Sequence, residues 1–376
     1  MIKVLYPHTR SNVGGSLIST MAVADKAKQF GWWMPVFVFP CEGPGPERAR
    51  NDGFTTLTYG ISPTSVTWWR RNKRSFRKIL SFPVGFVMIA RAIKVIEEHQ
   101  PDIIHINDDS SALVWGIAGK LRGVPVVWHI RQERRSRLLD SIRDKFTAVR
   151  IFLSDAARDR IAKWSKKPTY VIPNGINFEA IGAHRYPESV GLASTFRFLF
   201  LGNIVGRKRP LLAVEAVKVM REMGCDVLLR IAGEGWDETI LAKLEQLIAS
   251  EQDDWCRYVG YCEQPYTLMR DVDGVIITST RNGEALPRAA IEAHAHGLPV
   301  LTTDCGSVTD IVQDGFTGYV VDDDSSLELA IKGVKLITDK ELCIKMGKNA
   351  RAAAERKFAI DKIAFRVLYV YKSLLK

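Results

Sequence analysis

A chain of 376 residues, 46% of them hydrophobic, is long enough for two domains of ordinary size and can bury two cores. Its six cysteines (41, 225, 256, 262, 305, 343) form no CxxC pair and no metal-ligand spacing, so no zinc site is implied and reduced thiols in a cytoplasmic protein are expected. The charge is uneven: residues 1–180 hold 28 Lys+Arg against 15 Asp+Glu, or +13, while 181–376 hold 25 against 27, or −2, which suits a first half that meets an anionic surface of lipid headgroups or nucleic acid.

The opening MIKVLYP enters a strand directly, without the basic and apolar regions of a signal peptide. IKVLYP (2–7) is of buried-strand type, HTRSNVGGS follows, and a helical pattern runs from about Leu17 to Phe30. Strand, glycine loop and helix make a nucleotide-binding opening. Gly14 and Gly15 would let backbone approach a ligand closely, although glycines also serve such turns for geometry alone and the spacing is not GxGxxG. WMPVFVFP (33–40) reads as a second strand, and 41–65, rich in Gly, Pro and Thr, as loop with short strand pieces.

Six Lys/Arg and no acid lie between Trp68 and Leu80. Trp68 and Trp69 beside Arg70, Arg71, Lys73 and Arg74 suit an interfacial contact with an anionic membrane. The same mixture could stack on single-stranded nucleic acid, or form a solvated basic loop. The longest apolar run, ILSFPVGFVMIA (79–90), is too short to span a bilayer and contains Pro83 and Gly85.

PDIIHIN (101–107) and VPVVWHIRQE (124–133) place His105 and His129 at strand C-termini, where open α/β sheets bind ligands, although either could be a satisfied core residue. From Arg131 to Arg150 the chain is again basic and extends the positive face. AVRIFLS (148–154) is a strand, DAARDRIAKWSK a helix, and TYVIPNGIN (169–177) a strand closing in a Pro-Asn-Gly turn. Residues 178–196 lack a strong period and form a linker between domains 1–177 and 197–358.

The pattern then restarts. FRFLFLGN (196–203), VLLRIAGEG (227–235), CRYVGYC, GVIITS (274–279), PVLTT (299–303) and GYVVDDD (318–324) are strands and loops, alternating with helices such as PLLAVEAVKVMREMG and ETILAKLEQLIAS. The expectation is two doubly wound domains facing each other. DVD (271–273) has the form of a metal-binding DxD but leads into a strand, which favours a structural role, and DDD (322–324) reads as an N-cap run.

Within 278–306, Pro287 suits the first position of a helix and Gly297 its stop, so the helix is expected from about Pro287 to His296. Glu284 then sits in the loop ahead of it and Glu292 inside it. A helix N-terminus at a strand end favours phosphate, and carboxylates beside an anion favour hydroxyls, which together describe a sugar nucleotide. The plainer alternative is a capped amphipathic helix with two solvated glutamates.

VIPNGIN, LGNIVGRKRPLLAVEA, RIAGEG, VGYCEQ and DVDGVIITSTRNGEALPRAAIEAHAHGLPVLTTDCGSVTDIVQDGFTGYVV resemble, in order and spacing, the retaining glycosyltransferases of family 4. The likeness is specific from about 169 to 321 and weaker through the GGS loop, PDIIH and VVWHIRQE. It implies the GT-B fold: α/β, two Rossmann-like doubly wound domains facing a central cleft, with a final helix (about 360–376) packed back on the first domain. It also implies a nucleotide-diphosphate sugar donor held by the C-terminal domain, and no cofactor or metal.

By the same resemblance, Lys208 neutralises the donor diphosphate. The family's partner arginine falls at Asn203, which leaves Arg207 or Arg209 to supply the missing charge. Glu284 and His129 are the implied catalytic residues, Glu284 at the donor sugar or reacting centre and His129 facing that sugar. Glu292 meets the ribose, and Gly14 and Gly15 lie near the diphosphate. Leu286, Pro287 and Arg288 stand where the family offers backbone N–H groups, and Pro287 lacks one.

The implied function is transfer of a sugar to a lipid-linked or saccharide acceptor, in surface polysaccharide or glycolipid synthesis, at the inner face of the membrane. Trp68, Trp69, Arg70, Arg71, Lys73, Arg74 and Arg131 form the expected membrane and acceptor surface, with no nucleic-acid partner. Two alternatives stay open at this point: a sugar-nucleotide epimerase of the same architecture, and a nucleic-acid-binding protein acting through the basic half.

Overall fold

The computed structural model describes residues 1–61, 82–131, 137–161, 165–181, 195–251, 253–281, 283–322 and 325–376. The chain divides into two compact units, Met1–Gly175 with Ile360–Lys376, and Ile176–Ala359. Of the linker expected over 178–196, residues 182–194 lie outside the described residues, while Phe178–Ile181 forms a turn of helix in the second unit. The expected membrane contact from Trp68 to Arg74 also lies outside the described residues.

The first unit is built on seven strands: β1 (Ile2–Pro7), β2 (Trp33–Phe39), β3 (Thr55–Thr58), β4 (Ile103–Ile106), β5 (Val126–Ile130), β6 (Val149–Phe152) and β7 (Thr169–Val171). They pair in the order β3-β2-β1-β4-β5-β6-β7, every pair parallel. Near-continuous apolar runs such as IIHI and VVWHI suit the middle of this sheet, where every position of β4 and β5 is buried. Val4 and Tyr6 point into one core with Phe37 and Trp33, whereas Leu5 points into another with Ile104, Ile106 and Trp115. The terminal helix Ile360–Leu374 seals the first of these cores through Ile363, Val367 and Tyr371.

Two helices depart from the sequence reading. Pro44–Asn51 is helical where a loop was expected: Pro44 occupies the first turn, where a missing N–H is harmless, and Arg48 pairs with Asp52 one turn on. Arg137–Asp144 turns Asp140 and Asp144 inward while Leu138 and Leu139 face out, 72% and 43% exposed. Asp140 is held by Arg143 at 2.8 Å, and Asp144 accepts from Ser165 Oγ at 2.6 Å.

The second unit has β8 (Phe196–Leu201), β9 (Val227–Ala232), β10 (Cys256–Tyr258), β11 (Gly274–Ile277), β12 (Val300–Thr303) and β13 (Gly318–Val321). Their order is β10-β9-β8-β11-β12-β13, again all parallel. In both sheets the strand order reverses beside the first strand of the unit, between β1 and β4 and between β8 and β11. Such a switch point opens a crevice beyond the strand C-termini, and the site residues gather at these two places. The helix after β13 is capped by Ser325, whose hydroxyl accepts from Glu328 N, rather than by the acidic run before it.

Candidate active site

In the second unit, β8 leads into Gly202 and Asn203, and a 3-10 turn, Gly206–Lys208, follows. Gly233, at φ +155, lets the loop after β9 press against Gly202, since a Cβ there would come within 1.9 Å of the Gly202 carbonyl oxygen. The Lys208 side chain lies across Gly202 and reaches Glu284. Arg209 fixes the turn. Its backbone is left-handed, at φ +49, an uncommon state for a non-glycine residue. It is held because Arg209 Nε donates to the Thr278 carbonyl at 2.6 Å, while Thr278 Oγ1 donates back to the carbonyls of Lys208 and Arg209 at 3.0 and 2.7 Å.

Arg209 therefore ties the end of β11 to the lysine turn, its guanidinium donating to the Thr278 and Ser279 carbonyl oxygens. Arg207 is the cation that joins Lys208: its NH1 donates to the Gly283 carbonyl at 2.9 Å and lies 3.3 Å from Glu284 Oε1. Ser279 Oγ donates to the same oxygen at 3.1 Å. Glu284 itself bridges by backbone to Gly306. The half-buried Asn203 sits in the loop before this turn.

The helix after Glu284 runs Arg288–Ala295, with Pro287 as its extended N-cap rather than its first residue. Leu286 is buried beside it. Small residues, RAAIEAHA, let this helix sit deep, with every residue from Ala289 to Ala295 buried. That burial forces a partner on Glu292, and Arg288 supplies it with Nε 2.6 Å from Oε1, one turn away. Burial opposes the charge on Arg288, but Glu292 and Tyr266 outweigh it and hold the pKa above its ordinary value. Burial, reinforced by Glu292, raises the Tyr266 phenol as well. The DxD-like segment has a structural role: Asp273 accepts from Arg197 N at 2.8 Å and Nε at 3.1 Å.

In the first unit, Gly14 is the extended N-cap of the helix Gly15–Gln29, and a Cβ at Gly14 or Gly15 would meet nothing within 4 Å. Neither glycine is demanded by its own backbone or packing, which leaves open space beside the helix N-terminus. Beyond β4 and β5, a small cavity is lined by Tyr6, His105, Asn107, His129, Arg131 and Asn174, among others. Arg131, expected on the basic face, is turned into this cavity: its Nε donates to Asn107 Oδ1 at 2.9 Å and its NH1 to Asn174 Oδ1 at 2.6 Å.

His129 and His105 lie 3.2 Å apart through Nδ1 and Nε2, and His105 Nδ1 meets Tyr371 Oη at 2.6 Å. Burial first, then the Arg131 charge, pushes the His105 pKa down to about 3 and depresses His129 likewise, so both rings are neutral at physiological pH. Sequence reasoning singled out His129 and Lys208 and gave no signal for Tyr371, Asn107, Ser279 or the clamping role of Arg209. The six cysteines are free thiols, and burial pushes Cys305, near Glu284, up to about 12. Among the described residues, no group of three His, Cys, Asp or Glu could hold a metal ion, and no helix is long and apolar enough to cross a membrane.

Two family models match the chain side by side: Glycosyltransferase Family 4 over residues 13–180 and Glycosyl transferases group 1 over 187–353. A putative glycosyltransferase of Bacillus subtilis (strain 168), YtcC, is 29% identical over 199 residues, 50% of this chain and 48% of its own, so the chain spans about half of that relative's length. An Escherichia coli UDP-Gal:alpha-D-GlcNAc-diphosphoundecaprenol alpha-1,3-galactosyltransferase is 24% identical over 74% of this chain and 77% of its own. In fold, HepE of Anabaena, solved in complex with UDP and glucose, superposes with a TM-score of 0.81 at 18% identity, covering 99% of this chain and 100% of its own.

Proposed function

We propose, for a chain that belongs to the glycosyltransferases with a family 4 domain followed by a group 1 domain, that it moves a sugar from a nucleoside-diphosphate donor to a lipid-linked acceptor with retention of configuration. The observation that carries this reading is the convergence of Lys208, Arg207 and Ser279 on one oxygen of Glu284 at the switch point of the second sheet. A lysine and an arginine that share one carboxylate oxygen are suited to a diphosphate. When it enters, both cations turn to its oxygens, and Glu284 is released to the hydroxyls of the donor sugar. Glu292, already steadied by Arg288, takes the ribose.

The bond from the anomeric carbon to the diphosphate oxygen breaks, and the charge that develops on the diphosphate is met by Lys208 and Arg207 as preorganised electrostatics. The acceptor hydroxyl attacks from the leaving-group side, its proton passing to a phosphate oxygen as its own bond to the anomeric carbon forms. No metal is invoked. The first unit takes the acceptor, and His129 offers a hydrogen bond to a substrate hydroxyl.

A lipid-linked acceptor is supported by the helix Arg137–Asp144. Its acids face inward, while Leu138, Leu139 and Ile142 face out beside the exposed Arg137 and Lys145. An apolar surface framed by basic residues fits an anionic bilayer. The Escherichia coli relative's name also gives a diphosphoundecaprenol-linked substrate. We place the chain at the cytoplasmic face of the membrane, where sugar nucleotides are available.

The test is a panel of UDP- and GDP-sugars with undecaprenyl-diphosphate-linked acceptors, with and without EDTA. Transfer that survives EDTA and gives a product of unchanged anomeric configuration supports the reading. An inverted product, or donor isomerised with no acceptor present, overturns it. Leu138→Glu with Leu139→Glu should weaken flotation with anionic liposomes severalfold, and unchanged flotation would remove this helix from the membrane surface.

A further inference from the structure

Four side chains from distant parts of the first unit form one hydrogen-bonded line ending at His129. Tyr6 Oη and Tyr371 Oη are 2.9 Å apart, Tyr371 Oη and His105 Nδ1 2.6 Å, and His105 Nε2 and His129 Nδ1 3.2 Å. At the far end Arg131 NH2 lies 3.4 Å from His129 Nδ1. All four are buried, with His105 3% and His129 4% exposed and Tyr371 fully enclosed.

The direction of this line follows from what each group can do. An arginine has no acceptor, so His129 Nδ1 must accept. His105 Nε2 must then be the donor to it, which in a neutral imidazole leaves His105 Nδ1 as an acceptor. Only the Tyr371 hydroxyl is placed to donate there, so its oxygen accepts in turn from Tyr6. Each proton has one consistent position. The remaining nitrogen of His129, Nε2, therefore carries hydrogen, and it has no partner of ordinary hydrogen-bond geometry, although the backbone of Ile172 bears weakly on it.

We infer that Tyr6, Tyr371 and His105 are positioning residues that, together with Arg131, hold His129 in the single tautomer with hydrogen on Nε2. The consequence reaches across the chain. Tyr371 belongs to the terminal helix Ile360–Leu374, so that helix sets the hydrogen-bonding state of a histidine more than 240 residues earlier, in addition to sealing a core. Burial and the Arg131 charge keep both rings neutral, as the line requires. The substrate contact rests on the function proposed above; the tautomer does not.

The experiment is nitrogen NMR of the full chain labelled with 15N-histidine, seven residues in all, with His105 and His129 assigned by substitution. The wild type should show His129 neutral and protonated at Nε2, unchanged from pH 8 to pH 5. His105→Gln can still donate to His129 and accept from Tyr371, and should keep that tautomer. His105→Leu with Arg131→Leu removes both donors to His129 Nδ1 and should give a mixture, whereas either substitution alone leaves one donor and keeps the tautomer, and Tyr371→Phe should shift the His105 Nδ1 signal. Wild-type His129 protonated at Nδ1, or an unchanged tautomer in the double variant, overturns the inference. If the NMR result holds while His129→Ala transfers sugar at the normal rate, it is the role of His129 in the reaction that fails, and the relay stands.

Discussion

The two units carry nearly the same sheet, yet they build opposite kinds of polar site at its switch point. In the first, the line from Tyr6 to His129 is made of neutral hydroxyls and imidazoles, and Arg131 at its end donates to the amide oxygens of Asn107 and Asn174. In the second, charges meet charges: Lys208 and Arg207 on Glu284, Arg288 on Glu292. A neutral network fixes where protons sit and resists rearrangement. An ionic one can exchange partners when a charged ligand arrives. The difference suits the proposed function, in which the second unit would hold the diphosphate and the first would orient hydroxyls.

The largest effect expected from breaking this contrast is on stability. Arg288→Ala strands the buried Glu292 carboxylate and should cost the second unit about 3 kcal/mol. Hydrogen exchange along β8–β13 would report it, and Arg288→Met with Glu292→Met should recover much of the loss. A cost under about 1 kcal/mol would mean that water or another group already satisfies Glu292. Next in size, Lys208→Ala and Glu284→Gln should each reduce transfer by at least about tenfold to a hundredfold, as for loss of one transition-state contact. Near-normal turnover in either would remove that residue from the site.

Acid should separate the units. His8, His105 and His129 in the first unit are depressed by burial, His8 to about 4 and His105 to about 3, against an ordinary value of 6.5. Below pH 6.5 the unfolded chain binds protons that the folded unit refuses, so stability is full above that pH and falls as pH drops towards the folded values. The slope is up to about 1.4 kcal/mol per pH unit for each histidine. His294, lowered to about 4 by burial, is the corresponding group in the second unit. Amide protection compared at pH 7 and pH 5 should fall more in β1–β7 than in β8–β13, and equal losses would contradict the contrast. The smallest effect is a cap: Asp108 accepts from Ser111 N at 2.8 Å and Thr9 Oγ1 at 3.0 Å, and Asp108→Ala should cost about 1 kcal/mol, read from urea unfolding.

Much of both sheets was legible because buried parallel strands are short, largely apolar runs. IKVLYP, FRFLFL and GVII stand out on that ground alone. The helix Pro44–Asn51 was hidden by its composition, since the Pro and Gly of PGPERARN also describe a loop. Glu284 was singled out by its place ahead of a helix at a strand end, and Lys208 by the family resemblance. The partners that orient the site had no such signal. Tyr371 is 266 positions from His105, and nothing local marks the pairing. Arg209 reads as one cation among three in GRKR, and only its left-handed backbone and its carbonyl partners set it apart from Arg207 and Lys208. Arg131 looked like surface charge because the amides that draw it inward, Asn107 and Asn174, lie in other segments.

The measurement that bears most directly on the second unit as a donor site is thermal unfolding with UDP, GDP, ADP and CMP, in the wild type and in Lys208→Ala. A nucleoside diphosphate at a hundred times its dissociation constant adds about 2.7 kcal/mol of stability. One of these nucleotides should raise the wild-type midpoint by several degrees and leave Lys208→Ala nearly unmoved. No shift with any nucleoside diphosphate at millimolar concentration, or an equal shift in both proteins, would contradict a diphosphate site built on Lys208.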